Sequence, residues 1–271
     1  MLTTTHQHPI SGSRRGRTIW YLLGLAVMAI VAAAYVSGCT KGPQVISDPA
    51  SLPPDVRSWF DTYSHIDVAT AATFGKYTYI LAAWGPQDKS DAAVSFAKVD
   101  TSGDQVVATI HYLAGTTTAS QMVYPFALMR LPATSKPVSF VSPDREYIPK
   151  TVGVPAGFRL SSTAQNGMKV VYQNPASTNI LIGVSGAQPT PGSMLVEGIA
   201  RVFEATLGYD ILGPNGTIAG TGNTMATVAG PDWGYFKIEV PGREYITGVR
   251  VYWVSPKDGT KMDIVTVTWG G

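Results

Sequence analysis

The spacing of apolar and polar positions along the chain changes character several times, and each change marks a different kind of structure. Ile19 to Val36 is an uncharged apolar run of 18 residues, about 27 Å long as a helix and so at the lower limit for spanning a bilayer. Thr40 to Pro53 then carries Pro43, Pro49 and Pro53, which obstruct both helix and ladder, and reads as a tether. Val56, Trp59, Phe60 and Tyr63 follow at i, i+3, i+4 and i+7, with Pro54 suited to a first helical position. That spacing predicts one short helix with its apolar face against a sheet.

From Tyr77 the period becomes two. Tyr77 to Trp84 is apolar on both faces and reads as a central strand stopped by Gly85-Pro86. Ala92 to Val99, Gln105 to Leu113 and Met122 to Leu131 are further strands, with a short one over Pro137 to Val141. One helix followed by strands predicts an α+β module over residues 54–142. Residues 143–178 hold Pro143, Pro149, Pro155 and Pro175 and read as a linker, with Met168 to Gln173 as an edge segment.

Beyond it, Ile180 to Val184, Met194 to Val202, Thr206 to Leu212, Thr217 to Gly220, Tyr235 to Val240, Thr247 to Val254 and Lys261 to Trp269 give seven short strands. Their number and spacing suit an immunoglobulin-like sandwich over residues 179–271. Phe236, Ile238 and Val240 should point inward, Lys237 and Glu239 outward. Gly213-Pro-Asn-Gly216 and Pro256-Lys-Asp-Gly259 are turns whose Asn-Gly and Asp-Gly pairs accept positive φ. The expected fold is mainly β with a minor helix.

Composition alters the picture at the N-terminus. Arg14, Arg15 and Arg17 precede the apolar run, and Val36-Ser37-Gly38-Cys39 closes it with the only cysteine of the 271 residues. A basic arm, an apolar core and small residues make a secretory targeting pattern. The last four residues resemble the lipobox of bacterial lipoprotein precursors, which implies lipidation of Cys39 and a mature chain starting there. An uncut membrane helix and simple cleaved secretion are the rival readings. All 18 acidic residues but only 17 of the 20 basic ones lie after Gly38, so the exported part is close to neutral and nothing in it points to nucleic acid. A lone cysteine forms no intramolecular disulfide, so stability must come from packed cores.

Two resemblances accompany these patterns. Leu52-Pro-Pro-Asp-Val-Arg-Ser-Trp59, Gly75-Lys-Tyr-Thr-Tyr-Ile-Leu-Ala-Ala-Trp-Gly85 and Val123-Tyr-Pro-Phe-Ala-Leu-Met-Arg-Leu-Pro132 resemble the C-terminal domain of the protease complex subunit PrcB. Where that family carries a Thr-Gly-Gly-Tyr turn, this chain has Gln87 to Ser95. Pro189-Thr-Pro-Gly192, Val196-Glu-Gly-Ile-Ala-Arg-Val-Phe-Glu-Ala205, Gly230-Pro-Asp-Trp-Gly-Tyr-Phe236 and Ser255-Pro-Lys-Asp-Gly259 resemble the Gmad-type immunoglobulin-like domain of bacterial spore germination. The second resemblance implies export in a Gram-positive, often spore-forming, bacterium and a binding or assembly role. The first implies an accessory factor that stabilises or modulates a cell-surface protease.

Little in the chain is arranged for chemistry. After Gly38 only His65 and His111 remain, too few with one cysteine for the usual zinc ligand sets. Ser64-His65-Ile66-Asp67 contains triad residue types but as a contiguous run, and triad members meet through space. No catalytic, cofactor or metal residue is therefore expected, and a wall-acting hydrolase is the weakest of the readings. The expected contacts are a membrane, through Cys39 or the apolar helix, and a protein partner at the outer face of the cell membrane. Candidate partner-binding residues are Glu204, at a strand-to-strand corner, and Trp233 and Tyr235, in an aromatic stretch that either forms a recognition loop or covers the core.

Overall fold

The computed structural model describes residues 42–155, 157–160, 168–174, 178–184, 193–241 and 245–269. The apolar run and Cys39 lie outside the described residues. The protein is mainly β, with one α-helix, and residues 43–271 form one compact unit.

Helix α1 (Pro54–Tyr63) starts on Pro54 with Asp55 in its first turn. It ends where the Ser64 N–H donates to the Phe60 carbonyl at 2.9 Å. Its buried residues include Val56, Trp59, Phe60 and Tyr63, the set given by the helical spacing. The N-terminal strands are β1 (Gln44–Val45), β2 (Asp67–Phe74), β3 (Tyr77–Trp84), β4 (Gln87–Lys89), β5 (Ala93–Asp100), β6 (Val106–Leu113), β7 (Thr118–Val123), β8 (Phe126–Pro132) and β9 (Val138–Val141). Four of them make a sheet in the order β1-β8-β3-β2, three make a sheet β5-β6-β9, and β4 pairs with β7 as a ribbon.

The first sheet is the middle layer, which explains why β3 is apolar on both faces. Leu81 and Ala83 pack with α1, whereas Ile80 and Ala82 pack against the β5-β6-β9 sheet with Val106, Ala108 and Ile110. Two expectations need correction here. Part of the expected tether belongs to the fold: Gln44 and Val45 pair with Arg130 and Met129, and Ile46 and Leu52 pack on the helix core. Apolar residues between the prolines gain burial there. Met122 to Leu131 is two strands, because Tyr124-Pro125 interrupts the ladder and the Pro125 carbonyl instead accepts the Trp84 N–H at 3.0 Å.

The C-terminal strands are β10 (Thr151–Val152), β11 (Arg159–Leu160), β12 (Met168–Tyr172), β13 (Ile180–Val184), β14 (Ser193–Ala200), β15 (Thr206–Leu212), β16 (Ile218–Met225), β17 (Trp233–Pro241), β18 (Gly248–Val254) and β19 (Lys261–Trp269). They form a sandwich of two five-stranded sheets, β10-β17-β14-β13-β11 and β12-β19-β18-β15-β16. Phe236, Ile238 and Val240 face its core with Val196, Leu207, Val249, Val251, Val265 and Val267, as the alternation required. Asn215, Gly216 and Gly259 have φ of 59°, 75° and 75°, the positive values expected of those turns.

The described parts of the stretch 143–178 belong to the fold, and Met168–Tyr172 is the edge strand expected there. Its strands β10 and β11 extend one sheet of the sandwich and β12 extends the other. Phe158, also from this stretch, is fully buried in a core that joins Val56, Trp59, Tyr63, Val68 and Leu81 of the N-terminal part to Ile199 and Trp233 of the sandwich. Gly183 on β13 is required by that contact, since a Cβ there would lie 2.1 Å from the Phe158 ring. The outer face of one sandwich sheet is thus covered by α1 and β2, and the modules share a core.

Candidate functional site

Three features could carry function: the joint between the modules, an exposed corner of the sandwich, and a cleft in the N-terminal module. The joint takes two of the expected partner-binding residues. Trp233 opens β17, is 2% exposed, and donates its indole N–H to the Asp67 carbonyl at 3.1 Å. The Arg201 guanidinium lies 5.0 Å from its ring centroid. Trp233 therefore covers the shared core and offers no free recognition loop.

Tyr235 points to the same side of β17, packs edge-on against Phe158 at 6.0 Å, and donates its hydroxyl to the buried Glu197 carboxylate. Burial, then the hydrogen bond and charge of Glu197, push the Tyr235 phenol well above its ordinary pKa. Asp67 and Arg145 add a bidentate ion pair, both N–O distances being 2.8 Å, at the edge of the joint. Its hydrogen bonds to Asp67 hold the Arg145 guanidinium charged above its ordinary range. The geometry is that of a fastening between two sheets.

Ser64, His65 and Asp67 do not form a catalytic relay. The Ser64 hydroxyl lies 3.3 Å from His65 Nδ1, but Asp67 is committed to Arg145, and the His65 ring packs against Tyr124 at 4.7 Å. His111 sits 2.8 Å from Asp144 through Nδ1. The hydrogen bond from the Tyr112 backbone N–H, then that from His111, hold the Asp144 carboxyl below the usual carboxylate range. Among the described residues no group of three His, Cys, Asp or Glu side chains could hold a metal ion.

Glu204 behaves differently from the other two. It sits in the 3-10 turn Phe203–Ala205 between β14 and β15, exposed, with φ of 53°; Ala205 follows with φ of 57°. Two consecutive left-handed residues that are not glycine are an unusual backbone, of the kind held where surrounding structure overrides local preference. Ala205 is anchored: it is buried, and its carbonyl accepts the Ala226 N–H at 2.8 Å. Phe203 is 58% exposed, and so at 67% is Met225, whose β16 position pairs with Thr206. An acidic group thus stands among large exposed apolar side chains at one end of the sandwich.

The third feature was invisible in the sequence. A cleft of about 300 Å³ opens between the edge of β2 and the edge of β9. Ala71 and Thr73 of β2, Val138 and Phe140 of β9, and Lys136 and Lys150 lie along it. β2 itself, in the stretch Asp67-Val-Ala-Thr-Ala-Ala-Thr-Phe74, carries little strand signal, because alanine is poor in strands and no strong apolar alternation marks it.

Residues 184–260 match the immunoglobulin-like domain of bacterial spore germination, Gmad2. The matched region runs from the last residue of β13 through β18 and includes the Glu204 corner and both joint aromatics, so the sandwich is immunoglobulin-like by sequence as well as by architecture. No curated protein and no solved structure matches the chain.

Proposed function

We propose that the chain is a membrane-tethered extracytoplasmic binding or assembly protein of a Gram-positive, often spore-forming, bacterium, acting without catalysis. The observation that carries this reading is the match of residues 184–260 to a germination-type immunoglobulin-like domain. The tether rests on the basic arm, the apolar run and Cys39. Two acyl chains would give stable anchoring where one is marginal.

The Glu204 corner is the partner-facing surface in this account. It lies within the matched residues, and its exposed Phe203 and Met225 offer apolar contact area around a carboxylate. Trp233 and Tyr235 act behind it, by fixing the sandwich to the N-terminal module.

Crosslinking in intact envelopes followed by purification tests the reading. A discrete partner should be recovered with the native chain and lost with Glu204→Lys combined with Phe203→Ser. Repeated recovery of nothing, or of the same partner with the double variant, would contradict it. Cys39→Ala should abolish lipid linkage, whereas continued membrane retention would favour the uncut helix. The resemblance of residues 54–142 to the PrcB domain supports an alternative role as a protease-stabilising accessory factor. That role predicts that deletion lowers the abundance or activity of a secreted protease, and unchanged proteases would remove it.

A further inference from the structure

The cleft of the N-terminal module is an interrupted ladder. β2 pairs with β3 along its whole length. On its other side the described residues supply a single parallel bridge, Ala69 with Lys150, in which the Ala69 N–H donates to the Pro149 carbonyl at 2.7 Å. The chain then turns away: Thr151 and Val152 pair with Trp233 and Gly234 of β17 instead. Backbone direction alternates along a strand, so the N–H and C=O of Ala71 and Thr73 point the same way as those of Ala69, into the cleft.

The opposite wall has the same character. β9 pairs in parallel with β6 on one side only, and the Val106 N–H donates to the Pro137 carbonyl at 2.9 Å. Register then turns the backbone groups of Val138 and Phe140 outward, toward β2. The cleft therefore lies between two open sheet edges. Sheet edges left open in a soluble protein are docking templates unless they are blocked.

Charge selects the occupant. Lys150 stands at the Ala69 end. Lys136 stands at the other, where the Thr134 N–H donates to the Thr78 hydroxyl and Thr78 pairs with Thr73. Lys136 is held in place by the carbonyls of Thr101 and Gly103, at 2.8 and 2.7 Å, neither of which neutralises it. No carboxylate lines the cleft among the described residues. Thr70 and Thr151 join hydroxyls at 2.9 Å beside Lys150, fixing that end.

We propose that this cleft binds an extended acidic segment of a partner protein, which adds to the free edge of β2 as a short strand with its carboxylates toward Lys136 and Lys150. The span from Ala69 to Thr73 is about 13 Å, enough for roughly four residues of strand. Main-chain hydrogen bonds supply the attachment and the lysines the sign of the charge that is accepted. The site lies outside residues 184–260, so loss of the envelope reading would leave it standing.

The test uses the full chain in detergent micelles and a phage-displayed library of random linear nonapeptides. Selected peptides should carry acidic residues flanking an extended core, and a synthetic copy should protect the Ala71 and Thr73 amides from hydrogen exchange. Lys150→Glu, whose side chain has no role in the ladder, should weaken that peptide at least tenfold, and adding Lys136→Glu should abolish binding. N-methylation of the peptide backbone at alternate residues should also abolish it. Failure to enrich acidic peptides, binding undiminished by the charge reversals, or binding without protection at Ala71 and Thr73 would each overturn the proposal.

Discussion

The two halves of the molecule build their cores in opposite ways. The sandwich closes its interior with its own alternating strands: Val196, Leu207, Phe236, Ile238, Val249, Val251, Val265 and Val267 all come from one contiguous region. The N-terminal module completes the core under α1 only by borrowing Phe158, Ile199 and Trp233 from beyond its own strands. A self-contained core makes a unit that can fold on its own terms. A borrowed one makes a unit that depends on its neighbour, so the aromatic residues at the joint are tied to architecture, and the corner and the cleft are the surfaces proposed for recognition.

The largest effect should come from the borrowed part of the core. Phe158→Ala removes a fully buried ring and should cost about 3–5 kcal/mol, measured by urea unfolding. It should release β2 and β3 before the sandwich, seen as earlier hydrogen exchange in those strands. If both halves lost protection together in the variant, the asymmetry described here would be wrong. Arg145→Met should cost less, about 1.5–3 kcal/mol for lost charge-assisted hydrogen bonds at a partly exposed pair. Its effect on thermal unfolding should fall on the N-terminal strands.

Alkaline pH probes the same joint. Burial raises the Tyr63 phenol to about 12, with Arg159 opposing part of the rise. A folded-state pKa above the unfolded value near 10 favours the protonated fold. The contribution is complete below pH 10 and lost as pH rises through about 12. Tyr63→Phe should flatten the fall in stability across that window, and an unchanged pH profile would count against a buried Tyr63. The smallest effect belongs to the corner. Glu204→Gly removes a left-handed non-glycine residue and should change stability by no more than about 1 kcal/mol, in the stabilising direction. Calorimetry would detect it, and clear destabilisation would mean that the Glu204 side chain is itself structural.

What could be read from the sequence follows the same division. Strands with one buried face leave an alternating pattern, so β17 and its inward Phe236, Ile238 and Val240 were legible, and the Asn-Gly and Asp-Gly turns announced their positive φ. The helix face was legible for the equivalent reason at a different period. The joint was not, because Trp233 is an aromatic residue at the start of a strand in either case; only the position of Asp67, 166 residues away, shows what it covers. β2 was hidden by its small residues, and the cleft depends on which edge each strand leaves unpaired. That is a property of sheet order rather than of local pattern. Glu204 could be singled out from its place at a corner, but its left-handed backbone could not.

The dependence of one half on the other is tested most directly by native-state hydrogen exchange of the full chain in increasing urea, following β3 in the N-terminal module and β17 in the sandwich. A module that borrows its core from a self-contained sandwich predicts that β3 opens at lower urea while the most protected amides of β17 stay closed. Protection of β3 that outlasts opening of β17, or opening of both strands only in one global step, would contradict the account.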